Sequence, residues 1–277
     1  MNSYFERTVT LFLCFVILMP SCVSMKLDNK YARSEEKNLM WHEGQQIVVE
    51  EIAGDIKVEA GKDNELTVTG LKTVSSESLT VSRRESAHLK MVITSRHDEI
   101  LIVTHRPPRW RRLSGRIDYT ITAPAAAPLV LKTVSGNIKV RKMKSSIKAG
   151  AVSGDVVLEE AGGDAEVRSV SGGVFLKDCE GKLVAETVSG DIRLDGTAHI
   201  AQNISFKTVS GDTDIALPTA FQGTVRVFTV SGEITSDLPL QITNEAGRRL
   251  MEGTIGEGDV EIAIKSVSGD VYIQSGK

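Results

Sequence analysis

The chain has 277 residues, a formal net charge of −3 and a hydrophobic fraction of 41%, which suffices for one elongated domain with a sizeable core. So mild a charge does not indicate a nucleic-acid partner. Aromatic residues make up only 5% of the chain. Aliphatic and small side chains must therefore fill the interior.

Residues 1–24 are predicted to be an export signal. Arg7 precedes an apolar run, Val9–Met19, which has the length of a signal-peptide core and is too short to span a membrane comfortably. Two processing routes remain open: lipidation of Cys22 in a lipoprotein-type box, or ordinary cleavage after Ser24. We favour lipidation, because no second anchor is evident. The predicted location is a membrane-anchored lipoprotein facing the periplasm or the cell surface, with a soluble periplasmic or secreted protein as the alternative.

The stretch between the signal and the repeats divides into two parts. Residues 25–44 are polar and charged without periodicity, and they are predicted to form a tether. Residues 45–127 contain alternating segments around Gly54 that resemble the later repeats in a degenerate form. We expect irregular first coils of the same fold there, with a separate small β-domain as the alternative.

The segment 106–116 concentrates positive charge on an acidic protein. Its two prolines disfavour a central strand. One interpretation is a solvated loop whose arginines pair with nearby carboxylates. The other is an anion-binding loop for phosphate-bearing envelope lipids or polymers, because arginine suits phosphate and tryptophan suits interfaces. The residues concerned are Arg106, Arg109, Trp110, Arg111, Arg112 and Arg116.

Residues 128–277 are organised by the tripeptide Val-Ser-Gly, which occurs seven times from Val134 onward in steps of 18, 18, 18, 21, 21 and 37 residues. Segments of period-two alternation flank each copy, which indicates two strands joined at a Ser-Gly bend. Such a period is too short for crossover helices, so each unit must wind round and stack on its predecessor. We attribute the glycines to turns that need positive φ. They are Gly136, Gly154, Gly172, Gly190, Gly211, Gly232 and Gly269.

The predicted fold is an all-β, single-stranded parallel β-helix, or β-solenoid, with about 18–21 residues per coil. Eight to ten coils at ~4.8 Å give a rod of roughly 40–50 Å. If coils stack in chain order, the unit Val260–Ile273 ends the rod, and only residues 239–258 are available to cover it. An uncovered last coil exposes pairing groups and favours self-association.

The repeated Thr-Val-Ser-Gly-Asp-Ile units also carry a family resemblance. Together with Tyr119–Pro124 before them and Gly253–Gly258 near their end, they resemble the bacterial putative-adhesin family of β-strand-repeat proteins, a domain of unknown function. The resemblance covers most of residues 45–277. It implies a right-handed parallel β-helix in the cell envelope, and it supplies no catalytic or ligand-binding residues.

No arrangement in the sequence predicts catalysis. The serines of the motif recur in a ladder, whereas an active site needs one converged set of groups. HExxH, CxxC, Walker and GxSxG motifs are absent from the sequence. We therefore predict no catalytic residues, no metal and no cofactor. The carboxylates after the glycines are interpreted as solvated turn residues: Asp155, Asp191, Asp212 and Asp270.

Three functions follow, in decreasing order of preference. The first is a non-catalytic, exported envelope protein that acts as an adhesin-like binding scaffold. The second is a self-assembling structural or envelope-stress component, and the third is a polysaccharide-acting β-helix enzyme. The expected partners are an envelope lipid or polysaccharide, or another surface protein, and not a nucleic acid.

Overall fold

The computed structural model describes residues 29–276 except 62–63, 108–112, 196–199, 201 and 246–247. Within the described residues the chain is almost entirely β-strand, with one short helix, α1 (Leu79–Ser86). The strands are β1 (Asn29–Met40), β2 (Gln46–Ala53), β3 (Ile56–Gly61), β4 (Glu65–Ser76), β5 (Lys90–Ser95), β6 (Glu99–His105), β7 (Ser114–Pro124), β8 (Leu129–Ser135), β9 (Ile138–Arg141), β10 (Ile147–Ser153), β11 (Val156–Glu159), β12 (Ala165–Ser171), β13 (Val174–Lys177), β14 (Leu183–Ser189), β15 (Ile192–Asp195), β16 (Ile204–Ser210), β17 (Thr213–Leu217), β18 (Gly223–Thr229), β19 (Ile234–Ser236), β20 (Gln241–Glu245), β21 (Arg248–Ile255), β22 (Val260–Ser268) and β23 (Val271–Ser275).

Each repeat forms one coil of two strands joined at a Ser-Gly corner. In the β14/β15 coil, alternate residues of β14 from Leu183 to Thr187 are buried, and so are Ile192 and Leu194 in β15. This follows from the strand geometry, because successive side chains point to opposite faces. Equivalent positions pair in parallel from coil to coil, as in Thr187↔Thr208. The predicted all-β coils with parallel ladders are confirmed.

The coils build two long mixed sheets that enclose one apolar core. The 11-stranded sheet has the order β1-β4-β7-β3-β9-β11-β13-β15-β17-β23-β19. The 12-stranded sheet has the order β20-β21-β18-β22-β16-β14-β12-β10-β8-β2-β6-β5. Inward aliphatic residues from both sheets form a single continuous cluster. The right-handed winding implied by the family resemblance stays a prediction.

The C-terminal unit does not end the stack, which corrects the predicted order of coils. Strand β22 pairs in parallel with β16 on one side and with β18 on the other. Strand β23 lies between β17 and β19 in the same way. The last unit in the chain is therefore inserted between two coils that are consecutive in sequence. The prediction of self-association through an exposed last coil is wrong, because that unit is paired on both sides.

The N-terminal region likewise departs from chain order. The β6/β7 coil lies outside the β2/β3 coil, since β6 pairs with β2 and β7 pairs with β3. The β2/β3 coil pairs directly with the regular β8/β9 coil. Antiparallel strands accompany these two coils: β5 on β6, and β4 on β7. All of these strands share the two sheets with the repeats, and the predicted boundary at residue 127 stays a prediction.

The predicted tether is wrong for residues 29–40, which form the edge strand β1, antiparallel to β4 along its whole length. Its side chains are mostly exposed, with the burial pattern of a strand that has no deep core face. A polar, aperiodic sequence is compatible with an edge strand because backbone pairing, rather than a buried face, holds it in place. The export signal, Cys22 and residues 25–28 lie outside the described residues.

Close packing of the backbone, rather than positive φ, explains most of the Ser-Gly corners. Gly190 does not have a positive φ. A Cβ atom built on Gly190 would lie 2.1 Å from the carbonyl oxygen of Gly172, and one on Gly172 would lie 2.1 Å from that of Gly154. No side chain fits into that distance. The corner glycines thus form a glycine column, in which each α-carbon lies against the carbonyl group of the glycine in the adjacent coil.

Candidate binding surface

An outward row of aliphatic side chains runs along the 12-stranded sheet, one residue per coil. The valine of each Val-Ser-Gly motif points outward because the residue before it occupies the buried position of the strand. Exposed fractions are 46% for Val188, 47% for Val209, 47% for Val267 and 42% for Val230. In spatial order this aliphatic row consists of Ile52, Val134, Val152, Val170, Val188, Val209, Val267 and Val230.

Strand formation alone does not explain why the row consists of aliphatic residues. β-Branched residues favour strands, but threonine meets that requirement and also suits an exposed position. All eight positions of the row nevertheless carry valine or isoleucine. At ~4.8 Å per coil the row is about 34 Å long. It is an extended, linear apolar surface.

Charged residues lie beside it on the same sheet face, two positions earlier in six of the eight strands, and Gly150 and Phe228 hold the other two positions. Five of these six charged residues form ion pairs between adjacent coils. Lys132 Nζ lies 3.0 Å from Glu50 Oε1, and Glu186 is bound by Lys207 at 2.8 Å and by Arg168 at 3.2 Å. Burial raises the pKa of the Glu186 carboxyl, but these two cations bring it below its ordinary value. From Arg168 to Lys207 the aliphatic row is therefore flanked by ion-paired side chains.

Buried hydroxyls on the other face of the same strands are structural. Thr187 Oγ1 donates to the Gly172 carbonyl oxygen at 3.3 Å, and Thr208 Oγ1 donates to that of Gly190 at 3.4 Å. Thr133 and Ser169 make the same bond to the glycine carbonyl of the adjacent coil, and these four residues form the hydroxyl column. The buried Thr229 hydroxyl has no hydrogen-bond partner among the described residues. The exposed motif serines stand in a separate column of their own.

The turn carboxylates do more than the sequence predicts, because each one links two coils. Asp155 Oδ1 accepts the Gly173 N–H at 2.8 Å, and Asp191 Oδ1 accepts the Asp212 N–H at 2.9 Å. Asp212 binds the N–H of Asp270 in the same way, at 2.9 Å. Where the structure describes the chain, no group of three or more His, Cys, Asp or Glu side chains is placed to hold a metal ion.

Two of the predicted loop arginines are engaged within the protein. Arg106 Nη2 lies 3.1 Å from the buried Oε1 of Glu51, and Arg116 Nε lies 3.2 Å from Oδ2 of Asp118. The first end of segment 106–116 is thus held by a buried carboxylate, and the other end is held by the pairing of β7 with β4. The other four predicted residues, Arg109, Trp110, Arg111 and Arg112, lie outside the described residues.

A buried polar cluster at the base of this segment was not predicted. Glu51 occupies the hydroxyl-column position opposite Thr133. Its carboxylate accepts the Thr104 hydroxyl, which is 2.7 Å from the Tyr119 hydroxyl. Burial raises the pKa of Tyr119 far above its ordinary value. A glutamate where the repeats place threonine or serine was the only sequence signal for this cluster.

Solved structures similar to this chain share little sequence with it. A putative cell adhesion protein from Clostridium sporogenes is 11% identical with a TM-score of 0.35, over 88% of this chain and 100% of that one. A putative adhesin from Bacteroides fragilis is 9% identical with a TM-score of 0.42, over 87% and 97%. A putative adhesin from Parabacteroides distasonis is 11% identical with a TM-score of 0.39, over 87% and 97%.

Among curated proteins none matches this sequence. In the part of the chain that the structure describes, no helix is long and apolar enough to cross a membrane. The model of one family, described as Toastrack DUF4097, matches residues 44–274. That range holds the glycine column, the aliphatic row and every strand of the two sheets except β1 and the last residue of β23. The chain therefore belongs to the Toastrack DUF4097 family.

Proposed function

We propose that this protein is an exported, non-catalytic binding scaffold of the cell envelope, which holds its partner along the side of the rod. The observation that supports this proposal is the aliphatic row. Covering a half-exposed valine contributes about 1 kcal/mol, so each contact is weak and the row gains strength by repetition. Such a surface suits an extended partner: an envelope lipid or polysaccharide, or a segment of another surface protein.

A second part of the proposal concerns anchoring. Lipidation of Cys22 would attach the chain to a membrane through residues 25–28, which lead into β1. Strand β1 lies at the same end of the rod as β7, and the 106–116 segment leads into β7. An anchor at β1 would therefore bring Arg106 and Arg116, the two ends of that segment, towards the membrane. This geometry favours the anion-binding interpretation of that segment.

The aliphatic row is tested by substitution that keeps strand propensity. Wild-type protein and the variant Val188→Thr/Val209→Thr are applied to arrays of envelope lipids, glycans and surface proteins. The matched control is Val130→Thr/Val184→Thr, which changes half-buried outward valines four residues earlier in strands of the same sheet. We expect the row variant to lose at least threefold in affinity and the control to retain it.

Two results contradict the proposal. If the wild type binds no member of the arrays, the protein is not a scaffold for these partners. If it binds and both variants keep wild-type affinity, the partner is held elsewhere on the rod. Thermal unfolding of both variants is the control for folding, because surface substitutions of this kind change stability by less than about 0.5 kcal/mol.

A further inference from the structure

The inserted C-terminal unit, residues 260–275, is held on both sides by other coils. Ile262 in β22 pairs with Ile204 on one side and with Val225 on the other. In the opposite sheet, Ile273 pairs with Ile215 and with Ser236. The two coils that flank the unit, β16/β17 and β18/β19, are joined by only five residues, 218–222. They form a slot one coil wide.

The C-terminal unit is held in the slot by the same kinds of contact that join other coils of the stack. A Cβ atom on Gly269 would lie 2.0 Å from the Gly211 carbonyl oxygen, and one on Gly232 would lie 2.1 Å from that of Gly269. The turn carboxylate of Asp212 accepts the Asp270 N–H, and Asp270 in turn accepts the N–H of Glu233 at 2.8 Å. These contacts are made by backbone and short side chains. A coil of identical sequence from another copy would satisfy every one of them.

The connection into the slot is short and crowded. Residues 256–259 carry the chain from β21, on one side of β18, to β22, on the other side. At this crossing a Cβ atom on Gly258 would lie 2.2 Å from the Gln222 carbonyl oxygen, and one on Gly223 would lie 2.4 Å from that of Val260. Gly256 is held at φ +66°. Short hinges under such constraint favour exchange of the element that follows them.

We propose that the C-terminal unit exchanges between two copies of this chain, each unit filling the slot of the other copy. The exchanged dimer re-forms every strand pair of the monomer, and only the hinge at 256–259 changes. Protein concentration then sets the balance between monomer and dimer. This dimer uses an interior element and differs from end-to-end stacking.

Introduced pairs of cysteines show whether a C-terminal unit lies in the slot of its own chain or in that of the other copy. Ser205 and Ala263 are Cα partners across the β16–β22 boundary, so a disulfide in Ser205→Cys/Ala263→Cys joins the unit to its slot. Val184 and Ser205 are Cα partners across the β14–β16 boundary, which exchange does not alter. The control Val184→Cys/Ser205→Cys therefore forms a disulfide within one chain in monomer and dimer alike. Both proteins are refolded over a range of concentrations, fractionated by size, oxidised, and run on denaturing gels without reductant.

We expect a dimer whose share rises with the refolding concentration. In that fraction the Ser205→Cys/Ala263→Cys protein should run as a covalent dimer, and the control should run as a monomer. A third variant, with five Gly/Ser residues inserted after Gly256, should lower the dimer share severalfold by relaxing the hinge. The proposal is overturned if no dimer forms at any concentration. It is equally overturned if the two cysteine pairs give the same pattern in the dimer fraction.

Discussion

Replacing Gly190 with alanine tests the glycine column directly. The added Cβ atom would lie 2.1 Å from the Gly172 carbonyl oxygen, whereas an ordinary contact needs about 3.4 Å. The adjacent coils must therefore separate locally by more than about 1 Å, a large fraction of the ~4.8 Å between strands. That displacement weakens two contacts across the same boundary: the bond from the Thr187 hydroxyl to the Gly172 oxygen at 3.3 Å and the Val174 N–H to Asp191 oxygen bond at 2.8 Å.

The expected loss of stability is the sum of the overpacking and the weakened hydrogen bonds. Overpacking costs about 1–3 kcal/mol, and each weakened hydrogen bond adds about 0.5–1.5 kcal/mol, so we expect roughly 3–4 kcal/mol in total. With an unfolding entropy near 0.6 kcal/mol/K for a chain of this size, the midpoint falls by about 5–7 °C. Replacing Asp191 with alanine removes one exposed hydrogen bond, 2.9 Å from Asp191 Oδ1 to the Asp212 nitrogen. It should lower the midpoint by only about 1–2 °C.

Thermal unfolding followed by circular dichroism measures these differences. The matched control is Gly150→Ala, because Gly150 lies in β10 with no atom within 4 Å of an added Cβ. The control should unfold within about 1 °C of the wild type, since exposed sites of this kind change stability little. If Gly190→Ala unfolds with the control, the coils accommodate a side chain at the corner, and the close-packing argument is refuted.

Three further predictions concern the anchor, the arginine segment and the buried thiol. Cys22→Ala should abolish labelling with fatty acid and partition into detergent, and a wild-type N-terminus at Met25 would contradict lipidation. Changing the arginines at 109, 111 and 112 to serine should lower affinity for anionic vesicles without changing stability. The wild-type affinity should fall with salt, each arginine contributing about 1 kcal/mol within a Debye length; no binding at low salt would refute this. Burial raises the pKa of the Cys179 thiol to about 11, against 9.0 when exposed. The Cys179 thiol thus loses its proton at a lower pH in the unfolded state than in the folded state, so the free energy of unfolding should fall between pH 9 and 11. Alkylation of Cys179 at pH 8, followed by mass spectrometry, should require unfolding. Rapid labelling of native protein would show that the thiol is accessible.

The coil itself could be predicted because its signals are local. Alternation around each Ser-Gly pair indicated two strands, and a repeat of 18–21 residues left no room for anything except stacking. The need for glycine was also predicted, but the predicted cause, positive φ, holds only at Gly154 and Gly211 among the seven corners. Positive φ is a property of one residue, whereas the contact between Gly190 and Gly172 is a property of two coils 18 residues apart.

The order of the coils could not be predicted, because the coils are chemically interchangeable. Thr208, Thr229 and Ser266 carry the same kind of buried hydroxyl, so each fits beside either of the others. Chain order was then the only guide, and it fails where the chain doubles back through β20 and β21. The aliphatic row was visible in the sequence as outward valines. Its length and continuity depend on that same spatial order.

The glycine column also bears on how such a protein changes its length over evolutionary time. The repeat coils offer their neighbours the same backbone surface, a carbonyl group over a glycine, and most of them add a turn side chain that accepts an N–H group. Duplication of one repeat therefore adds a coil that fits at any interior boundary, and it lengthens the rod by ~4.8 Å without redesign of either neighbour. The antiparallel strands at the two ends have no such freedom, because each is built for one position. Selection can thus vary the reach of the molecule while both ends stay constant.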